Sequence, residues 1–352
     1  MCTLKLNNSG KREHISDKIM LPFPQIAMTT SKIDEELLAT HGKTFHFAAR
    51  FLPPELRHAV VLLYAFFRTL DDLVDEPVPG RQVEDVRAEL EAWKSWFISK
   101  CAFPAPRERL GSALHWMLSK HPVPTPIFLD FLNGLIADLE AQEVPDFSEL
   151  YRYCYQVAGT VGLAMAYVLG VRSAPALTAA KNLGIAMQLT NILRDVGEDL
   201  VANRVYLPRN ELESFGCPRT HLLKLYEARQ KPDDHFRSLL RFQVKRTHYY
   251  YKTAMPGIWL LPPDCRLPIL IAARLYRRIL IVIERNQYDV LHSRATTSFG
   301  EKIYEASTAL MLDRLWRSRE IWTTSEMEVL FEKELSLLDP HHSPGHTGHT
   351  SV

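Results

Sequence analysis

Apolar residues recur along most of this chain at alternating steps of four and three, the spacing of one helix face. The clearest run is LPPELRHAVVLLYAFFRTLDDLVDEP, residues 52–77, where Leu56, Val60, Leu63, Phe67, Leu70 and Val74 keep that rhythm. Pro53 and Pro54 suit a first helical turn, which needs no N–H from them, and Pro77 ends the run. At 30–38, Ser31 with Asp34 three residues on resembles a helix N-cap. The spacing predicts further helices over 82–99, 107–120, 126–141, 147–169, 175–200, 220–229, 233–254, 266–286 and 300–335. Proline and glycine mark loops, among them LPRNELESFGCP (207–218), AMPG (254–257) and LLPPD (260–264). No alternating strand series and no repeat occurs. The expectation is one all-α domain over 31–335, a flexible extension over 1–30 and a disordered His-rich tail over 336–352.

Composition narrows the classes. A net charge of +1 gives no electrostatic case for nucleic acid. Cys2, Cys101, Cys154, Cys217 and Cys265 form no C-x-x-C pair, which suits a reducing compartment rather than a disulfide framework or zinc site. Residues 1–30 lack an apolar secretory core. Glu13 and Asp17 argue against a plastid transit segment, so the expected location is cytoplasmic, with the plastid as the alternative. The most apolar stretch, 155–171, is short for a bilayer and interrupted by Gln156, Thr160, Gly159, Gly162 and Gly170. It reads as a buried core helix.

Candidate chemistry begins with two acidic clusters. At about 100° per residue, Tyr64, Arg68, Asp71 and Asp75 share one helix face, and so do Gln188, Asn191, Asp195 and Asp199. Each stripe ends in carboxylates at i and i+4, which repel. A cation offsets that cost. Mg²⁺ fits: it is hard, takes oxygen ligands and bridges carboxylates to phosphates. Arg68 and Arg194, beside the aspartate pairs, suit the remaining oxygens of a diphosphate. The bland alternative is two amphipathic helices with solvated acidic ends; two matched clusters carrying amide, arginine and aromatic residues weigh against it.

The stretches HGKTFHFAARFLP (41–53), YAFFRTLDDLVDE (64–76), YCYQVAGTVG (153–162), QLTNILRDVGEDLVANRVYLP (188–208) and ARLYRRILIVIERNQYDV (273–290) together resemble the head-to-head prenyl synthases, the family of squalene, dehydrosqualene and phytoene synthases. The resemblance implies an isoprenoid synthase fold: antiparallel helices around a central cavity, with Asp71–Asp75 facing Asp195–Asp199 across its mouth. It implies two prenyl diphosphate substrates and Mg²⁺, with Mn²⁺ as a substitute. By motif match, Asp71, Asp75, Asn191, Asp195 and Asp199 form the metal face. His41, Thr44, Arg68, Gln188, Arg194, Arg204 and Arg294 lie on the diphosphate side. Tyr64, Tyr153, Tyr206 and Tyr276 face the cavity. Ala158, Gly159 and Gly162 allow a bend or close approach to substrate, or else close helix packing. Asp72 is either a supporting residue or solvated. Arg277 and Arg278 could touch anionic lipid or form a solvated face, and a lipid-soluble product suits peripheral membrane contact.

Within that family, reduction of the final cation needs NADPH and goes with a second motif of the form D-Y-L-E-D. This chain has DVGED and no Gly-rich dinucleotide fingerprint, so a redox-neutral condensation is expected. Ala49 and Val61 are small where farnesyl-using relatives carry bulky aromatics, which favours geranylgeranyl diphosphate. The alternatives are a C30 synthase using farnesyl diphosphate and a non-catalytic assembly factor, the latter expected to have lost the aspartates retained here.

Overall fold

The computed structural model describes residues 47–75, 80–102, 104–140 and 143–317. The expected helix at 30–38, His41, Thr44, the extension 1–30 and the tail 336–352 lie outside them. Among the described residues there is no strand, only an isolated bridge between Glu143 and Val205.

The helices are α1 (Pro54–Asp75), α2 (Val83–Ile98), α3 (Glu108–Lys120), α4 (Thr125–Asp138), α5 (Phe147–Cys154), α6 (Thr160–Val168), α7 (Ala174–Arg194), α8 (Val196–Val201), α9 (Arg209–Ser214), α10 (Arg219–Glu227), α11 (Asp234–Ala254), α12 (Pro263–Arg285) and α13 (Phe299–Arg317). A π-helical turn, Tyr155–Gly159, joins α5 to α6, and a 3₁₀ turn, Met255–Leu260, joins α11 to α12. Local chemistry sets the ends. The Asp146 and Asp233 side chains accept from the N–H groups of Glu149 (3.1 Å) and Phe236 (2.9 Å), capping α5 and α11. Gly170, at φ +83°, closes α6 in a backbone conformation that glycine adopts without strain.

Two expected loops are helical. Residues 209–214 of LPRNELESFGCP form α9, because Pro208 serves as the cap residue that starts a helix rather than as a breaker. Ala254 ends α11, and MPG with the following residues to the first leucine of LLPPD forms the 3₁₀ turn. The helix expected over 175–200 is broken at Asp195 (φ −102°, ψ 11°).

Two apolar cores form. One gathers α1 to α4, α6, the 3₁₀ turn and the first half of α12, around Phe66, Trp93, Phe97, Phe128 and Phe131. The other gathers α8 to α11, the second half of α7 and the end of α12. Helix α7 contacts α6, α11, α12 and the 3₁₀ turn, so it forms the shared wall between them. Ala49 and Val61 are buried in the packing and are not among the residues that line the cavity described next.

Arg277 and Arg278 contradict both expectations for them: each is buried, touching neither lipid nor solvent. Arg278 pairs with Glu301 (3.1 Å) and Glu305 (3.7 Å), and Arg277 Nε donates to His248 Nδ1 (3.3 Å). Four of the cysteines, Cys101, Cys154, Cys217 and Cys265, are unpaired thiols.

Candidate active site

A cavity of about 570 Å³ runs along α7. Its lining changes character with position on that helix. Asn191, Arg194 and Asp195 line it at the C-terminal end; Ala176, Ala179 and Ala180 line it at the N-terminal end. From Ala176 to Asn191 the helix rises about 22 Å. Phe131, Met165, Leu169 and Ile258 complete the apolar walls. The result is a long slot, polar at one end, that suits an extended hydrocarbon with a charged head.

The first stripe reaches the slot because α1 is amphipathic and unbroken to Asp75, so Tyr64, Arg68, Asp71 and Asp75 all line it. Asp72 does not; it pairs with Arg68 at 2.5 Å, and Arg68 donates to Asp71 at 3.1 Å. Asp72 therefore supports the arginine instead of being simply solvated. The second stripe persists through the kink. Asp195 N–H still donates to Asn191 O and Asp199 N–H to Asp195 O, each at 2.9 Å. Gly197 N–H turns instead to Val290 O (3.2 Å), and a Cβ on Gly197 would lie 2.2 Å from Leu291 O. Only glycine lets the 290–291 loop wedge in at this point.

The expected site residues within the described segments line the slot, namely the two stripes, Tyr153, Ala158, Gly162, Arg194, Arg204, Tyr206, Tyr276 and Arg294, whereas Gly159 does not. Glu198 also lines it and was not anticipated. The arginines lie on carboxylates. Arg194 donates to Asp195 through Nε (2.7 Å) and NH2 (2.5 Å), Arg294 contacts Asp195 (3.0 Å) and Glu198 (3.3 Å), and Arg204 donates to Asp75 (2.9 Å). A Cβ on Gly162 would lie 2.3 Å from Ala180 O, and one on Gly184 would lie 2.1 Å from Ala158 O. The small residues thus serve close α6–α7 packing, and that packing brings their backbone to the slot.

Electrostatics at the polar end favour a cation. Burial first, then the neighbouring Asp75, pushes Asp71 up to about 7, against the opposing pull of Arg68. Burial, Asp195 and Asp75 push Asp199 up to about 7, so the two stripes lie within each other's field. Asn191 donates through Nδ2 to Gln188 (3.3 Å), while its buried Oδ1 accepts no hydrogen bond. An all-oxygen set with crowded carboxylates and an unmatched amide oxygen fits a hard divalent cation such as Mg²⁺ or Mn²⁺.

A residue that sequence reasoning missed lies behind the tyrosines. Asp138, at the end of α4, is 5% exposed. It accepts from Tyr206 at 3.0 and 3.1 Å and from Tyr153 at 3.4 Å. Burial pushes it up to about 6, with Arg204 as the main opposing influence. The two phenol rings stack at 5.0 Å and 17°. The only sequence signal was an acid at the end of a largely apolar helix, TPIFLDFLNGLIAD.

An all-α bundle that converges aspartates and arginines from two helices on one end of an apolar slot is an isoprenoid synthase fold. The squalene/phytoene synthase family matches over residues 38–301, and this chain belongs to that family. It is similar to a phytoene synthase from Arthrospira platensis, at 36% identity over 80% of this chain and 92% of that protein. It is also similar to a 15-cis-phytoene synthase from Synechococcus elongatus, at 34% over 78% and 91%. Among solved structures, a dehydrosqualene synthase in complex with ligand superposes with a TM-score of 0.72 at 29% identity, covering 82% of this chain and 98% of that one.

Proposed function

We propose that this protein condenses two molecules of geranylgeranyl diphosphate head to head, through a cyclopropylcarbinyl diphosphate, into phytoene, releasing diphosphate at each ionisation. The observation that carries the reading is the convergence of Asp71 and Asp75 with Asn191, Asp195 and Asp199 at the polar end of a long apolar slot. It occurs in a chain 34–36% identical to proteins named phytoene synthase.

Asp71, Asp75, Asn191, Asp195 and Asp199 hold Mg²⁺ in this reading, with Mn²⁺ as a substitute. Bound there, the ion supplies Lewis-acid stabilisation of a leaving diphosphate. Arg68, Arg194, Arg204 and Arg294, with His41, Thr44 and Gln188, orient the phosphate oxygens. The apolar walls keep water from the allylic cation formed when the C–O bond breaks, and the tyrosine rings and oxygens stabilise it. Bond formation, rearrangement and proton loss conserve oxidation state, so the reaction draws on no NADPH.

The product is a hydrocarbon that must leave for an apolar phase. Peripheral contact with a membrane follows, and α13 supplies a suitable face: Phe299, Ile303, Leu310 and Met311 are exposed on it. Among the described residues no helix is long and apolar enough to cross a bilayer.

Purified protein incubated with Mg²⁺ and either geranylgeranyl or farnesyl diphosphate, without NADPH, tests the reading by the hydrocarbon formed. A C40 triene-centred product supports it. A C30 product alone replaces it with a dehydrosqualene-type reaction, and no turnover of either substrate leaves a scaffold role.

A further inference from the structure

We infer that Asp138 is a positioning residue that fixes the hydroxyl dipoles of Tyr153 and Tyr206, turning their protons away from the slot and leaving oxygen lone pairs toward the reacting hydrocarbon. The inference rests on the proposed prenyl diphosphate chemistry and assigns a role that chemistry does not by itself require.

Asp138 does not line the slot, whereas both tyrosines do. A carboxylate accepts hydrogen bonds and offers none. Each phenol has one proton: Tyr206 donates to the two Asp138 oxygens at 3.0 and 3.1 Å, and Tyr153 points its proton at the same pair, at 3.4 Å from Asp138 and bonded also to the Tyr206 oxygen. What remains on each phenol oxygen is lone-pair density, and the stacked rings hold the two oxygens side by side. Carbocations are stabilised by groups that present negative charge without being able to react as water does. A hydroxyl free to rotate presents its proton, the positive end of its dipole, as readily as its oxygen. Burying a carboxylate is costly, and the two phenols with the nearby Arg204 offset the cost. A neutral acceptor would satisfy packing more cheaply, so the charge points to a demand on dipole direction.

Asp138→Asn is nearly isosteric and reverses the polarity at one of the two terminal atoms, because the amide N–H₂ donates to a phenol oxygen and frees a phenol proton. The expected result with the wild type's preferred prenyl diphosphate is a kcat for diphosphate release lowered about a hundredfold. KM should stay within about threefold, since substrate binding is left alone. Alcohols from water capture should rise as a share of product. In a Tyr153→Phe/Tyr206→Phe background the same substitution should cost nothing further, since its effect passes through the hydroxyls. Retained kcat in Asp138→Asn, or an equal loss in the phenylalanine background, overturns the inference.

A second measurement needs no turnover. The tyrosine Raman doublet of wild type minus the double phenylalanine variant should have the signature of phenols that donate; an acceptor signature overturns the inference even if Asp138→Asn does not fold. If the wild type turns over no prenyl diphosphate, the proposed function fails, and the Raman result still decides the role of Asp138.

Discussion

Asp71 and Asp199 each sit where burial and a neighbouring carboxylate resist ionisation. Both are raised to about 7, so the folded chain holds protons on them between about pH 4 and 7 that the unfolded chain has released. The sign follows: these two groups make the metal-free fold less stable as pH rises through that window. Asp233 and Glu301 have the opposite sign. Hydrogen bonds from Phe236 N–H and His221, and from Ser298 and Arg278, hold them low, so their stabilisation is lost only in acid. A divalent cation should therefore raise the Tm clearly at about pH 8 and little at about pH 5, as thermal melts with and without MgCl₂ would measure. A cation effect that is equal at both pH values would count against Asp71 and Asp199 as ligands. Asp71→Ala and Asp195→Ala should each abolish turnover with helical content by circular dichroism nearly unchanged; loss of fold in both would make the clusters structural. These aspartates were legible in the sequence because a period of 3.6 residues turns spacing into a shared face. Asp138 and Glu198 were not: a single acid has no partner in sequence, and only folding brings Asp138 under Tyr206, 68 residues away.

Periodicity located most helices to within a few residues, because a buried apolar stripe is what stabilises a helix in a domain. It could not see the break at Asp195, whose cause lies in the 290–291 loop, about a hundred residues further along. Proline and glycine misled at 207–218 and 254–257, where they start short helices instead of marking loops. The Asp195 break matters because it sets the direction of α8 and so of Asp199. In Gly197→Ala, a Cβ 2.2 Å from Leu291 O must push the loop or the helix aside. The expected cost is about 1–3 kcal/mol in chemical denaturation. Activity should fall more than stability explains, because Asn191, Asp195 and Asp199 lose register. Full activity in that variant would mean the stripe tolerates the shift. At the α12–α13 contact, Arg274 and Glu305 pair at 2.8 Å, with exposures of 5% and 3%. Removing one partner strands a buried charge, so Glu305→Ala should cost about 3–5 kcal/mol, whereas replacing both with apolar residues of like volume should cost far less. A double-mutant cycle in urea reads that difference directly.

For the molecule as a whole, the two cores account for the slot, and α13 shows how such a bundle meets its surroundings. This helix is apolar on two sides. Its inner face packs Ala309, Leu312 and Trp316 on the core and also carries Glu305 and Asp313, paired with Arg274, Arg278 and Arg317. Its exposed face carries Phe299, Ile303, Tyr304, Leu310, Met311 and Leu315, which span about 160° of the circumference at 100° per residue. A periodicity reading assigns one apolar stripe of a helix to the core, and α13 has a second that stays exposed. The partners of its buried Glu305, Arg274 and Arg278, lie on α12. An apolar face of this extent, on a protein whose proposed product is insoluble in water, suits the interfacial layer of a bilayer. Each large side chain transferred there contributes about 1–2 kcal/mol, so two charged replacements should abolish most of the binding. Wild-type protein should float with phosphatidylcholine vesicles in a density gradient and remain bound in high salt, because the attraction is apolar and not ionic. Phe299→Glu/Leu310→Glu should stay at the bottom while keeping turnover of detergent-dispersed substrate, since neither residue lines the slot. If wild type fails to float, or the variant floats equally well, this face does not meet the bilayer and the hydrocarbon leaves by another route.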